Sequence, residues 1–172
     1  MSDETMGTSF SHLALSVEDL ERQTAFYRDV LDFDVGDTYR SEGPRSSDLM
    51  EIEDACFDGV FMRRGGFYLE LLAHGRQKGD GSRLRNPEQL GYAHTSFLVD
   101  DAAATVAAAT EHGGTFLRSL ELSFGRTEEK TQIFFLLDPE GNRIELISHP
   151  SEEEAGKHAE FLGAARVGWP AR

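Results

Sequence analysis

Apolar and polar residues alternate in two short stretches that resemble one another. In the first, Leu13, Leu15 and Val17 alternate with His12, Ala14 and Ser16. In the second, Phe97 and Val99 oppose a face carrying Tyr92, His94 and Ser96. Such alternation predicts half-buried β-strands. Each stretch runs into an acidic turn, Glu18-Asp19 or Asp100-Asp101, suited to capping a helix. The helices predicted here run from Leu20 to about Leu31, with Thr24 and Tyr27 on the same side, and from Ala102 to about His112. The second breaks at Gly113-Gly114, a good helix stop.

The later segments also correspond. Phe67 to Leu72 and Arg143 to Ser148 are strand-like runs, each interrupted by one carboxylate, Glu70 or Glu145. Gln132 to Leu137 joins the second run through Asp138-Pro139-Glu140-Gly141-Asn142, which predicts a hairpin. Strands are expected somewhere between Asp48 and Met62, and a loop over Ser41 to Ser47. The expected organisation is an N-terminal tail (1–9), a first βαβββ module (10–74) and a linker (75–91). A second βαβββ module (92–150) follows, then a C-terminal helix and tail (151–172). Ser151 followed by Glu154 is a capping-box pattern that opens the final helix, expected to reach about Leu162. The fold class is therefore α+β, a strand, a helix and about three strands performed twice, as two modules that pseudo-twofold symmetry can relate.

Composition narrows the function. The 172 residues include 17 Lys and Arg against 31 Asp and Glu, a formal net charge of −14. That balance repels phosphate backbones and anionic lipid, so neither nucleic acid nor membrane is an expected partner. No apolar run approaches the ~20 residues that span a bilayer. Met1, Ser2, Asp3 and Glu4 make an acidic start, unlike a secretory signal, and a cytoplasmic protein is expected. The single cysteine, Cys56, has no partner for a disulfide and is read as packing or loop.

The duplication aligns chemistry. His12 and His94 take the same place in the two opening strands, and Glu70 and Glu145 the same place in the two closing ones. One imidazole or one carboxylate on a strand is ordinarily a surface residue. Four at duplicated positions predict two nitrogen and two oxygen donors for a divalent first-row ion: Zn, Ni, Co, Mn or Fe. The alternative is a cleft whose polar residues bind an organic ligand directly. Arg40, Arg63, Arg64 and Arg126 are read as solvated surface, although each is a possible anchor for an anionic substrate tail.

The segments HLALSVEDLERQTAFYRDVL (12–31), YLELL (68–72), YAHTSFLVDD (92–101) and FFLLDPEGNRIELI (134–147) resemble the vicinal oxygen chelate superfamily. That group includes glyoxalase I, methylmalonyl-CoA epimerase, extradiol dioxygenases and drug-binding resistance proteins. The resemblance implies paired βαβββ modules whose curved sheets enclose a metal-containing cleft, with metal ligands at His12, Glu70, His94 and Glu145. The two-His, two-Glu set is similar to that of glyoxalase I. Ser16 stands where glyoxalase I has an arginine that holds the glutathione carboxylate, which counts against glutathione as co-substrate. Phe135 stands where extradiol dioxygenases carry a tyrosine, which counts against ring cleavage. A homodimer is implied by the same resemblance.

A Lewis-acidic ion that holds two vicinal oxygens stabilises an enolate while a carboxylate moves the adjacent proton. The expected function is thus a glyoxalase-like isomerase, lyase or epimerase acting on a small carbonyl compound. The resemblance makes Glu145 the preferred base and Glu70 the second candidate. The competing readings are an Fe(II)-dependent extradiol-type dioxygenase, with His12, His94 and Glu145 as its triad, and a non-enzymatic small-molecule-binding protein.

Overall fold

The structure is a computed structural model that describes residues 9–75, 88, 90–122 and 130–161. The first unit contains β1 (Leu13–Val17), α1 (Leu20–Leu31), β2 (Asp34–Glu42), α2 (Pro44–Met50), β3 (Cys56–Arg64) and β4 (Phe67–Ala73). The second contains β5 (Thr95–Leu98), α3 (Ala102–Glu111), β6 (Thr115–Leu122), β7 (Thr131–Leu137) and β8 (Arg143–Ser148). The chain then enters α4 (Glu152–Phe161). Each unit forms a four-stranded mixed sheet, in the orders β1-β4-β3-β2 and β5-β8-β7-β6. In both, the opening strand runs parallel to the closing one and the remaining pairs are antiparallel. This is the βαβββ plan, performed twice.

The helices begin where the acidic turns predict. Asp19 accepts a hydrogen bond from the Arg22 amide at 3.0 Å, and Asp101 accepts one from the Ala104 amide at 2.9 Å. Helix α1 ends at Asp32, which adopts the left-handed conformation at φ 53°. The hairpin turn is held by Asp138, whose carboxylate accepts from the backbone amides of Glu140 and Asn142 at 2.9 and 2.8 Å.

Two local expectations are corrected. Pro44–Met50 is a short helix where Ser41 to Ser47 reads as loop, and the strand expected between Asp48 and Met62 starts only after it. Pro44 at its first position suits a helix start, but seven residues are too few to show an apolar period. The third strand of that unit begins only at Cys56. Most of the expected linker, namely 76–87 and 89, lies outside the described residues. So do 1–8 of the N-terminal tail, Leu162 at the expected end of the last helix and 163–172 beyond it.

The two units share one core. Leu71 and Leu146 are fully buried, with Val17, Phe26, Leu31, Phe33, Leu69, Leu136 and Ile144 around them. Burial of each such side chain contributes about 1.5–3 kcal/mol. The Phe97 ring joins the halves, meeting Phe33 at 5.8 Å and Phe67 at 6.1 Å between centroids. Leu13, Leu15 and Val17 of β1, Leu69 and Leu71 of β4, Phe97 of β5, and Ile144 and Leu146 of β8 all belong to this core. By strand alternation, the face carrying His12, Glu70 and Glu145 is the opposite one. The core therefore decides which way the ionisable residues point: outward from the centre that both units share.

Candidate functional site

The closing strands bring each glutamate beside the histidine of its own unit. Parallel pairing sets Ala14 opposite Glu70 and Ser96 opposite Glu145. The histidines stand at the entrances to β1 and β5, two residues earlier. His12 Nε2 lies 3.2 Å from Glu70 Oε2, and His94 Nε2 lies 3.5 Å from Glu145 Oε2. Each imidazole makes a T-shaped contact with the phenylalanine paired with its glutamate. His12 contacts Phe61 at 5.5 Å and 83°, and His94 contacts Phe135 at 5.4 Å and 82°. Phe61 is the register partner of Glu70, and Phe135 that of Glu145. The duplication seen in the sequence is thus repeated in three dimensions, down to the ring that orients each imidazole.

Both pairs combine a buried carboxylate with an accessible imidazole. The side chains of Glu70 and Glu145 are 11% and 16% exposed, against 36% and 34% for His12 and His94. A largely buried carboxylate costs free energy unless it is hydrogen-bonded, paired or metal-bound. At His12 the other ring nitrogen, Nδ1, is within hydrogen-bond distance of Ser11 Oγ at 2.9 Å, which leaves Nε2 facing Glu70.

The four residues do not gather at one point. Among the described residues, no three His, Cys, Asp or Glu side chains stand close enough to hold a metal ion together. The structure presents two His–Glu pairs rather than the single four-donor cluster that pseudo-symmetry suggests. The physical reason is the shared core. Each sheet commits its apolar face to that core, so each pair occupies an outer face of its own sheet.

The donor chemistry nevertheless suits a divalent ion at each pair. An imidazole nitrogen and a carboxylate oxygen at ~2.1 Å from one ion, subtending ~90–110°, stand about 3.0–3.4 Å apart. The observed 3.2 Å falls within that range and the 3.5 Å lies just beyond it.

Two residues near the pairs were not legible as site residues in the sequence. The Tyr39 hydroxyl donates to Glu70 Oε1 at 2.5 Å. Burial first, and then the adjacent Glu70 carboxylate, pushes the Tyr39 hydroxyl well above the ordinary tyrosine range. Arg143 shares the Glu145 face of β8 and holds its guanidinium carbon 5.8 Å from the Phe135 ring centroid. Its place two residues before Glu145 was the available signal. For Tyr39 the sequence holds none, because its contact depends on the register of β2 against β3.

Other candidates fall elsewhere. Arg40 contacts Glu42, Asp58 and Cys56, and Arg63 contacts Asp34, all on exposed surface. Arg126 lies outside the described residues. His112 closes α3 through the Ala108 carbonyl at 2.9 Å. His149 and His158 contact one another, at 2.9 Å between Nε2 and Nδ1, away from the pairs. Among the described residues no helix is long and apolar enough to cross a membrane.

Two βαβββ units that share a core and present equivalent outer faces define a paired-module α+β protein. The family model of the Glyoxalase/Bleomycin resistance protein/Dioxygenase superfamily matches residues 9–146, and the chain belongs to that family. Among solved structures, the chain is similar to a glyoxalase family protein from Bacillus cereus, at 18% identity and a TM-score of 0.72. That match covers 88% of this chain and 100% of the other. It is also similar to the trypanothione-dependent glyoxalase I of Leishmania major, at 22% identity and a TM-score of 0.56, covering 92% and 100% of the two chains. The fosfomycin resistance protein FosX from Listeria monocytogenes matches at 18% identity and a TM-score of 0.53, covering 88% and 99%. No curated protein sequence matches the chain.

Proposed function

We propose that the protein is a divalent-metal-dependent isomerase, lyase or epimerase of the glyoxalase kind, acting on a small carbonyl compound. The observation that carries this reading is the pair of equivalent His–Glu contacts, at 3.2 and 3.5 Å, on equivalent strands of a duplicated fold. When bound, the metal ion supplies a Lewis acid that accepts vicinal oxygens of the substrate. His12, Glu70, His94 and Glu145 would hold it. The chain's own residues do the rest. Glu145 takes the proton from the carbon beside the carbonyl and returns it, while the buried setting of both carboxylates keeps water from competing. Phe61 and Phe135 hold the imidazoles in T-shaped contact, and Ser11 Oγ at His12 Nδ1 leaves Nε2 facing the site.

A homodimer completes the donor set. Each chain offers one pair from each unit on faces its own core leaves uncovered. A second copy that sets its His94–Glu145 pair against the first copy's His12–Glu70 pair unites four donors. Two such sites form per dimer, related by the twofold axis.

The test is elemental analysis of the untagged protein, followed by reconstitution with Ni, Co, Zn, Mn or Fe and assay on small α-hydroxycarbonyl and α-ketoaldehyde compounds. The expected result is one metal per chain in a dimer, with deuterium from solvent appearing beside the substrate carbonyl. Dioxygen uptake with Fe(II) and a catechol would instead make the protein a dioxygenase. Tight metal-free binding of a compound without turnover would make it a binding protein.

A further inference from the structure

The two half-sites differ in one contact. At Glu70, Oε2 faces His12 and Oε1 accepts the Tyr39 hydroxyl at 2.5 Å. The tyrosine lies in a slot made for it. Its register partner on β3 is Gly59. A Cβ at residue 59 would stand 2.4 Å from the ring Cζ and 2.6 Å from the hydroxyl oxygen. Phe61 stacks on the ring at 5.7 Å and 29°, and Phe57 meets its edge at 6.2 Å. Only a residue without a side chain at position 59 lets the phenol reach across the sheet to the carboxylate.

Among the described residues the second unit has no such device. Two residues before the phenylalanine opposite each glutamate stand Gly59 in the first unit and Ile133 in the second. The partner of Ile133 across the β6–β7 ladder is Leu120, which is 57% exposed. An isoleucine fills the slot and a leucine replaces the phenol. Among the described residues, Glu145 has His94 as its polar side-chain partner and no hydroxyl.

We propose that Tyr39 is a positioning residue that makes the two carboxylates inequivalent: it engages Glu70 Oε1, leaves Oε2 as the one ligand oxygen, and so reserves proton transfer for Glu145. The proposal rests on the metal-enzyme reading above. A carboxylate held at both oxygens by a phenol and an imidazole is a static ligand. One held by an imidazole alone can rotate toward substrate. Position 59 belongs to the same device, because any side chain there displaces the ring.

Cobalt(II) titration of the full-length protein tests this without a substrate. Tyr39→Phe is expected to weaken Co(II) binding about 10–100-fold, the usual effect of losing a group that orients a ligand. Stoichiometry should be retained. The visible spectrum of the bound Co(II) should also change, as the freed Glu70 oxygen enters the coordination sphere. Gly59→Ala, which keeps the hydroxyl but moves the ring, should reproduce both effects. Leu120→Ala, at the equivalent place in the second unit, should produce neither. If wild-type protein takes up Co(II) stoichiometrically and Tyr39→Phe matches it in affinity and spectrum, the role of Tyr39 is overturned and the metal reading stands. Wild-type protein that binds no Co(II) overturns both.

Discussion

The Tyr27 hydroxyl, on α1 of the first unit, donates to Asp138 Oδ2 in the second unit's closing turn at 3.1 Å. Asp138 is 2% exposed and also accepts from the amides of Glu140 and Asn142 and from the Asn142 side chain. Burial raises the Asp138 carboxyl above the ordinary aspartate value, against the pull of these bonds. Burial, followed by Asp138, also pushes Tyr27 well above its usual range. Gln23, fully buried alongside, is placed to donate its amide to Asp138 at 3.3 Å. Tyr27→Phe keeps the ring and removes the bond between the units. It should lower the unfolding free energy by about 1–2 kcal/mol, read as a lower urea midpoint at unchanged slope.

Glu140 performs a second linking task. Its two carboxylate oxygens accept the backbone amides of Glu18 and Asp19 at 2.7 and 2.8 Å, just ahead of α1, and Arg22 approaches at 3.5 Å. A negative group at a helix start also complements the helix dipole. Glu140→Ala should cost about 1–3 kcal/mol, and Glu140→Gln should recover part of it. Denaturant unfolding of the two variants side by side measures the difference.

Gly114 sits where backbone closes in on two sides. A Cβ there would lie 2.9 Å from the carbonyl oxygens of Ala109 and Leu137 and 3.1 Å from the Phe26 ring. Neither carbonyl has a flexible end to swing away. Gly114→Ala should therefore destabilise by about 1–3 kcal/mol, visible as a lower Tm. Gly43→Ala, in open space but at φ 91°, tests backbone strain without crowding.

His149 gives stability a pH dependence. It hydrogen-bonds Thr131 and His158 at 2.9 Å each, and burial first, then the His158 charge, lowers its proton affinity, with Glu154 opposing. An imidazole depressed by folding leaves the unfolded chain holding more protons. Its contribution is therefore fully present above the ordinary histidine value of ~6.5 and is lost as pH falls below it. Urea midpoints measured from pH 7.5 to 5 should decline, and His158→Ala should flatten the decline.

Much of the fold was legible because its punctuation is local. Asp19 and Asp101 announce their helices, and Asp138 to Asn142 announces a hairpin, within a few residues of sequence. Strands β2 and β6 were not legible in detail. Both lie at sheet edges with most side chains exposed, so no apolar alternation marks them. At the site, alternation showed that His12, Glu70, His94 and Glu145 share faces opposite the apolar residues. It did not show where those faces point, which is set by how two sheets pack on Phe33, Phe67 and Phe97. Tyr39 was hidden for a related reason. Its meaning lies in Gly59, a residue on another strand.

Cohesion and chemistry occupy opposite sides of the same strands. Leu69 and Leu71 hold the interior while Glu70, between them, looks outward, and Ile144, Glu145 and Leu146 repeat the division. A chain built this way can exchange side chains on the outer faces while its interior remains intact. Each alternate position can then vary without cost to the packing that joins the two units.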